Sequence, residues 1–128
     1  MNLMLMIAMA GALGALSRYA LSGAVYALLG SGFAWGTLIV NILGSFLLGL
    51  VMQIGLSTDV LPPHLRTAIA IGFLGAFTTF STFSYETVQF LQEGSWGAAS
   101  LNILSSVALG LIAVAAGIFA GRLIAGGA

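Results

Sequence analysis

The side chains in this sequence that could do chemistry are few, and they are of the kind that hold ions rather than break bonds. Arg18, Asn41 and Asn102 each lie inside a long apolar stretch, and residues 72 to 84 read Gly-Phe-Leu-Gly-Ala-Phe-Thr-Thr-Phe-Ser-Thr-Phe-Ser. That passage combines glycines, which are weak helix formers, with hydroxyls that compete for backbone hydrogen bonds, so a helix running through it is expected to break. Non-helical backbone at membrane depth is tolerated only where it is buried in protein or lines a cavity, and its freed carbonyls are natural ligands for a small cation. Gly75 and Thr78 are the carbonyl donors to consider around the break, although composition alone does not select them.

Phe80 and Phe83 are three residues apart and share a helix face just after the expected break. An aromatic ring has a positive edge, so ring edges presented to a narrow path can stabilise an anion without a full charge; ordinary packing is the plainer alternative. Asn41 and Asn102 carry amides too costly to face lipid, which makes them either interhelical glue or pore lining. Arg18 must either snorkel toward an interface or sit in a polar, water-filled vestibule that attracts anions and repels cations. Ser105 and Ser106 say less, because a serine hydroxyl can bond its own helix four residues back. Glu86 is expected nearer the interface, and Asp59 and Glu93 read as turn charges. His64 has no second histidine with which to complete a common transition-metal site. There is no nucleophile with its base and no paired carboxylate, so no enzymatic apparatus is visible.

The elements that must position these groups follow from composition. The 128 residues are 60% hydrophobic and 5% charged, too few charges to build a water-facing surface. A bilayer core about 30 Å thick needs roughly 20 apolar residues per helix, and four segments qualify: Leu3 to Leu29, Phe33 to Leu56, Leu65 to Leu91, and Trp96 to Ile124. The expected fold is therefore an all-α integral membrane protein, a single transmembrane domain (residues 1–128) of four helices with a break in the third. The first segment lacks the basic flank of a cleaved signal, and three comparable segments follow it, so it is expected to be retained and the chain to be complete. The turns, Gly30-Ser31-Gly32, Ser57 to His64 with Pro62-Pro63, and Gln92 to Ser95, are short and place both termini on one side.

Cysteine is absent and the net charge is zero, which removes disulfides, thiolate metal sites and the electrostatic basis for nucleic-acid binding. The partners left are membrane lipid, further copies of the chain, and whatever solute crosses. Arg66 and Arg122 lie toward the terminus-bearing side, a basic bias small enough to be consistent with insertion in both orientations. Small residues at Gly11, Ala15 and Ser22 in the first span, and at Asn41, Ser45 and Gly49 in the second, mark expected helix contacts. Four helices leave little room for a path among themselves, so a homo-oligomer is the economical expectation.

With these residues in view, the chain resembles the small bacterial fluoride channels of the CrcB, or Fluc, type over nearly its whole length. The resemblance is carried by residues 11 to 19 (Gly-Ala-Leu-Gly-Ala-Leu-Ser-Arg-Tyr), by residues 36 to 46 (Gly-Thr-Leu-Ile-Val-Asn-Ile-Leu-Gly-Ser-Phe), and most specifically by the passage from Gly72 to Ser84. It implies a dual-topology homodimer of antiparallel subunits in the bacterial inner membrane, with two fluoride pathways built from both subunits and passive export of fluoride as the purpose. It implies ring edges from Phe80 and Phe83 along the path, an amide donated by Asn41, hydroxyls from Ser81 and Ser106, and Arg18 facing the aqueous vestibule. Thr79 and Thr82 would add hydroxyls around the break. The carbonyls of Gly75 and Thr78 from both subunits would hold a central, structural sodium ion (Na+). At Gly110, where several relatives carry another hydroxyl, this chain has no side chain.

Two other readings compete. A small multidrug transporter is also a four-span antiparallel dimer, but it depends on a glutamate in the first span, and no acidic residue precedes Asp59 here. A non-transporting structural subunit would explain the small-residue faces, but it gives no reason to bury freed carbonyls at midplane.

Overall fold

The computed structural model of the protein describes residues 1–126. It is all-helical, with four helical spans long and apolar enough to cross a membrane. In hydrocarbon every backbone polar group must be satisfied within the chain, and helices do this segment by segment. Helix α1 (Leu3–Leu29) starts at Asn2, whose side chain accepts from the Met4 N–H at 2.7 Å, and stops at Gly30, where φ is 82°. A positive φ at this position suits glycine and turns the chain back sharply. Helix α2 (Trp35–Ser57) begins two residues beyond Phe33. Phe33 instead sits in the turn, with its ring packed edge-on to Trp35 and stacked on Phe90, so the apolar run there continues past the end of the helix.

The third span, Pro63–Gln92, is not one helix. It opens with α3 (Pro63–Thr67), continues as a π-helical stretch (Ala68–Leu74), and tightens into the short α4 (Gly75–Phe77). Thr78 and Thr79 are then extended, with ψ of 158° and 120°. Helix α5 (Phe80–Gln92) restarts with Thr79 as its N-cap, the Thr79 side chain accepting from the Thr82 N–H. The break expected between Gly72 and Ser84 thus lies at two threonines. Gly72, which precedes it, instead serves a close helix contact, and the π-helical stretch is a feature that periodicity did not suggest. Helix α6 (Trp96–Ile124) completes the bundle.

Glycines set how closely these helices approach. α2 packs most extensively on α6, where a Cβ at Gly117 would overlap the Phe46 carbonyl and one at Gly49 would overlap that of Val114. α1 lies against the π-helical stretch in the same way: Gly14 abuts the Phe73 carbonyl, and Gly72 faces Ile7 and Ala10. Among the described residues Gly14 is the buried position of α1, whereas Gly11, named in the expected stripe, keeps an ordinary 3.6 Å from the Gly72 carbonyl. Contacts this close gain dispersion energy where burial from water contributes nothing. Most large apolar side chains of α1 and α6 remain on the outside, as a lipid-facing surface requires.

Candidate ion site at the broken third span

An α-helix leaves its last four carbonyls without intrahelical partners. The break at Thr78 and Thr79 therefore exposes the carbonyls of the turn ending at Thr78, in the middle of a span. The Thr79 N–H, which would have bonded the Gly75 carbonyl, donates instead to Asn41 Oδ1 at 2.8 Å. The Thr82 N–H, which would have bonded the Thr78 carbonyl, donates to Thr79 Oγ1 at 3.2 Å. The Ala76 carbonyl accepts from Arg18 Nε at 3.0 Å. Of the carbonyls released, one is thus held by a guanidinium, and those of Gly75 and Thr78 have lost their helical donors to side chains.

Asn41 holds the other side of the break. Its Nδ2 donates to the Thr79 carbonyl at 3.0 Å while its Oδ1 accepts from the Thr79 N–H, so one side chain replaces two backbone partners. One N–H of the Asn41 amide is committed to this clamp, which leaves a single N–H for any other acceptor. Arg18 is half-buried and tethered to the end of α4, so a guanidinium expected to look into a vestibule is also tied into the protein. A cation beside a helix C-terminus is electrostatically favourable, because unpaired carbonyls concentrate negative potential there.

Beside the break lies a groove of about 330 Å³. Asn41, Gly44 and Ser45 line it from α2, Gly75 and Thr78 from the end of α4, Phe80 and Phe83 from α5, and Ser106 and Gly110 from α6. Most of the residues singled out in the sequence therefore meet in one place although they come from three different spans. Ser81 is exposed outside this lining, 3.4 Å from Thr79 Oγ1, and Arg18 contacts the break from the α1 side. The rings of Phe80 and Phe83 are 5.7 Å apart and tilted by 48°; Phe80 is 80% exposed and stands at the open edge of the groove. Ser105 turns its hydroxyl back onto the Leu101 carbonyl, which leaves Ser106 as the serine of that pair on the groove. At Gly110 nothing lies within 4 Å of where a Cβ would be, so the groove is open there. Chemically the groove offers amide and hydroxyl donors and ring edges for an anion, and freed carbonyls at its side for a small cation.

The partners in two side-chain networks were not legible in the sequence. Glu86 is not a lone interfacial charge: the Tyr26 hydroxyl donates to its Oε2 at 2.6 Å and the Thr37 hydroxyl donates to its Oε1, joining α1, α2 and α5. Asn102 proves to be glue: its Nδ2 donates to Thr87 Oγ1 at 3.0 Å between α6 and α5. Both depend on which helix faces which. Short-range spacing has no signal for that.

Residues 5–118 match the family described as CrcB-like protein, Camphor Resistance (CrcB). The chain belongs to this family. Among CrcB-like relatives, it is 54% identical over 122 residues to a protein of Geobacter sulfurreducens named fluoride-specific ion channel FluC, covering 95% of this chain and 98% of that one. It is 52% identical over 118 residues to a protein of the same name from Magnetococcus marinus, covering 92% of this chain and 96% of the relative. A third so named, from Syntrophotalea carbinolica, is 53% identical over 116 residues, covering 91% and 94%. Family membership and the four apolar spans make this CrcB-like chain a multi-pass membrane protein.

Proposed function

We propose that this chain is a fluoride-selective passive channel that exports fluoride across the bacterial inner membrane and carries no enzymatic activity. The observation that carries the reading is the groove in which Asn41, Phe80, Phe83 and Ser106 converge beside a mid-span helix break. Relatives that match nearly the whole chain and bear the name of fluoride channels support it. Fluoride is small and strongly hydrated, so a path that excludes chloride must replace its water with donors. The free N–H of Asn41, the Ser106 hydroxyl and the phenylalanine edges supply these in series, none strong enough to trap the ion, as conduction demands. Ser81 extends the hydroxyl series beyond the groove, and Arg18 raises the potential of the approach from α1.

The channel is an antiparallel dual-topology homodimer with two pathways, each drawing on both subunits. The large exposure of Phe80 at an open groove edge and the weak basic bias of the turns support this assembly. The carbonyls of Gly75 and Thr78, deprived of their helical donors, fit a hard monovalent cation, and we assign them to a structural sodium between the subunits. When bound, that ion supplies positive potential beside the anion path. The chain's own contribution is to keep those carbonyls unpaired, through Asn41 at Thr79 and Thr79 at Thr82.

The test is anion efflux from liposomes containing the purified protein, with fluoride and chloride recorded in parallel, for the native chain, Phe80→Ile and Phe83→Ile. Fast fluoride loss without chloride loss, reduced by either substitution, is the expected result. A folded native dimer that moves no fluoride would overturn the channel reading in favour of a structural subunit. Full flux in both variants would reduce the phenylalanines to packing.

A further inference from the structure

We infer that Asn102 and Thr87 form a pin that sets the register of α5 against α6, and so places Ser106 opposite Phe83 across the groove. Neither residue lines the groove; they act through those that do, as positioning residues. The inference rests on the channel reading for its functional consequence, but the register itself is a separate physical claim.

The argument begins with burial. Asn102 is 1% exposed and Thr87 is 7% exposed, and they are two of the few buried polar side chains among the described residues. Asn102 Nδ2 donates to Thr87 Oγ1 at 3.0 Å, and the Thr87 hydroxyl donates in turn to the Phe83 carbonyl at 2.8 Å. The hydroxyl's own proton is committed along α5, so Thr87 can meet Asn102 only as an acceptor. The direction of the chain of bonds, from α6 to Thr87 to Phe83, is thereby fixed. An amide in hydrocarbon that loses its partner is costly, so a slide of one helix along the other would leave Asn102 unpaired.

Register follows from spacing. α5 and α6 run in opposite directions and are joined by the short turn after Gln92. Phe83 lies four residues before Thr87 on α5, and Ser106 lies four residues after Asn102 on α6. Four residues are close to one helical turn, so stepping one turn from the pin leads to Phe83 on one helix and, in the same direction through the membrane, to Ser106 on the other. Both line the groove. Toward α6, the bond from Asn102 to Thr87 is the polar tie that α5 makes among the bonds described above. The N-terminal end of α5 is held at Thr79 by Asn41, and its Glu86 bonds to Tyr26 and Thr37 run toward α1 and α2 rather than α6. Without the pin, a small shift of α6 along α5 would separate the Phe83 ring edge from the Ser106 hydroxyl while leaving both helices intact.

The test uses the full-length protein in liposomes and four variants: Thr87→Val, which keeps the shape but removes the hydroxyl; Thr87→Ser, which keeps the hydroxyl; Asn102→Leu; and the Thr87→Val/Asn102→Leu double variant. Replacing both partners of a buried hydrogen bond by apolar groups is close to neutral for stability, so the double variant is expected to melt like the native protein in detergent. Its fluoride efflux is nevertheless expected to fall roughly tenfold, the scale on which one buried hydrogen bond shifts a conformational equilibrium. The two single variants should lose as much, without adding in the double variant, and Thr87→Ser should stay within about twofold of native.

The position of the Phe83 ring is read independently by 19F NMR of protein carrying 4-fluorophenylalanine, with the Phe83 resonance identified by its absence in Phe83→Ile. It should move in Thr87→Val, Asn102→Leu and the double variant, and stay in place in Thr87→Ser. A folded double variant with an unmoved Phe83 resonance and native efflux would overturn the pin, as would a Thr87→Ser variant that behaves like Thr87→Val. If native protein carries no fluoride while the resonance moves as stated, the channel reading fails and the pin stands.

Discussion

Asn41 engages both backbone groups of Thr79, donating to its carbonyl at 3.0 Å and accepting from its N–H at 2.8 Å. The side chain thus does for an isolated extended residue what a neighbouring strand would do. In Asn41→Asp, the oxygen that replaces Nδ2 would face the Thr79 carbonyl with no proton between them. The lost bond and the unsatisfied acceptor together cost on the order of 1–3 kcal/mol. Thermal unfolding in detergent should show a lowered midpoint, and fluoride efflux should fall by about the tenfold that such an energy implies. Unchanged stability together with unchanged efflux would mean that the break holds itself open without the clamp.

Arg18 is coupled to the same break through the Ala76 carbonyl. Arg18→Met removes both the cation and the hydrogen bond at the end of α4, a loss of about 1–2 kcal/mol for a charge at a partly buried helix terminus. Arg18→Lys keeps the charge but not the planar fork, and should lie between Met and native. Unfolding midpoints of the three proteins, measured under one set of conditions, test the ordering. Indistinguishable midpoints would leave Arg18 a vestibule charge alone.

Gly14 and Gly11 should respond differently although they are neighbours on α1. A Cβ at Gly14 would overlap the Phe73 backbone, while one at Gly11 would meet the Gly72 carbonyl at an ordinary 3.6 Å. Gly14→Ala must push α1 off the π-helical stretch, at roughly 1–3 kcal/mol for forced overpacking. Gly11→Ala should unfold at nearly the native temperature. Equal tolerance of both would show that the α1 contact is looser than it looks.

Removal of sodium tests the assignment of the Gly75 and Thr78 carbonyls. Protein purified and reconstituted with a large organic cation in place of sodium is expected to lose fluoride efflux and to regain it when sodium is restored. Efflux that persists without sodium would return those carbonyls to water.

Gly110→Ser adds a hydroxyl one helical turn beyond Ser106, where nothing lies within 4 Å of the new Cβ. The variant should fold normally and change the fluoride efflux rate, because the added donor lies in the groove. A rate equal to the native one would place the ion's route away from Gly110.

Much of this protein could be read from residue types alone. A chain that is 5% charged has to face lipid, and lipid leaves helices as the structure for long apolar segments, so four spans follow from composition. The broken third span was legible because Thr, Ser and Gly are poor helix formers in any context, and that is a local property. Locality also limited the reading. The passage indicated that the helix breaks, but not that Thr78 and Thr79 are the extended residues, since several positions there are equally weak. Gly14 was missed in favour of Gly11 and Ala15 because spacing identifies a stripe of small residues without saying which of them meets a backbone.

What only the tertiary structure decided are the partners. Asn41 with Thr79, Arg18 with Ala76, Asn102 with Thr87, and Glu86 with Tyr26 and Thr37 are pairs separated by 15 to 60 residues. Each side chain declares by its own chemistry that it needs a partner in the membrane. Which partner it finds depends on helix rotation and register, and these are set by glycine contacts spread over the whole bundle.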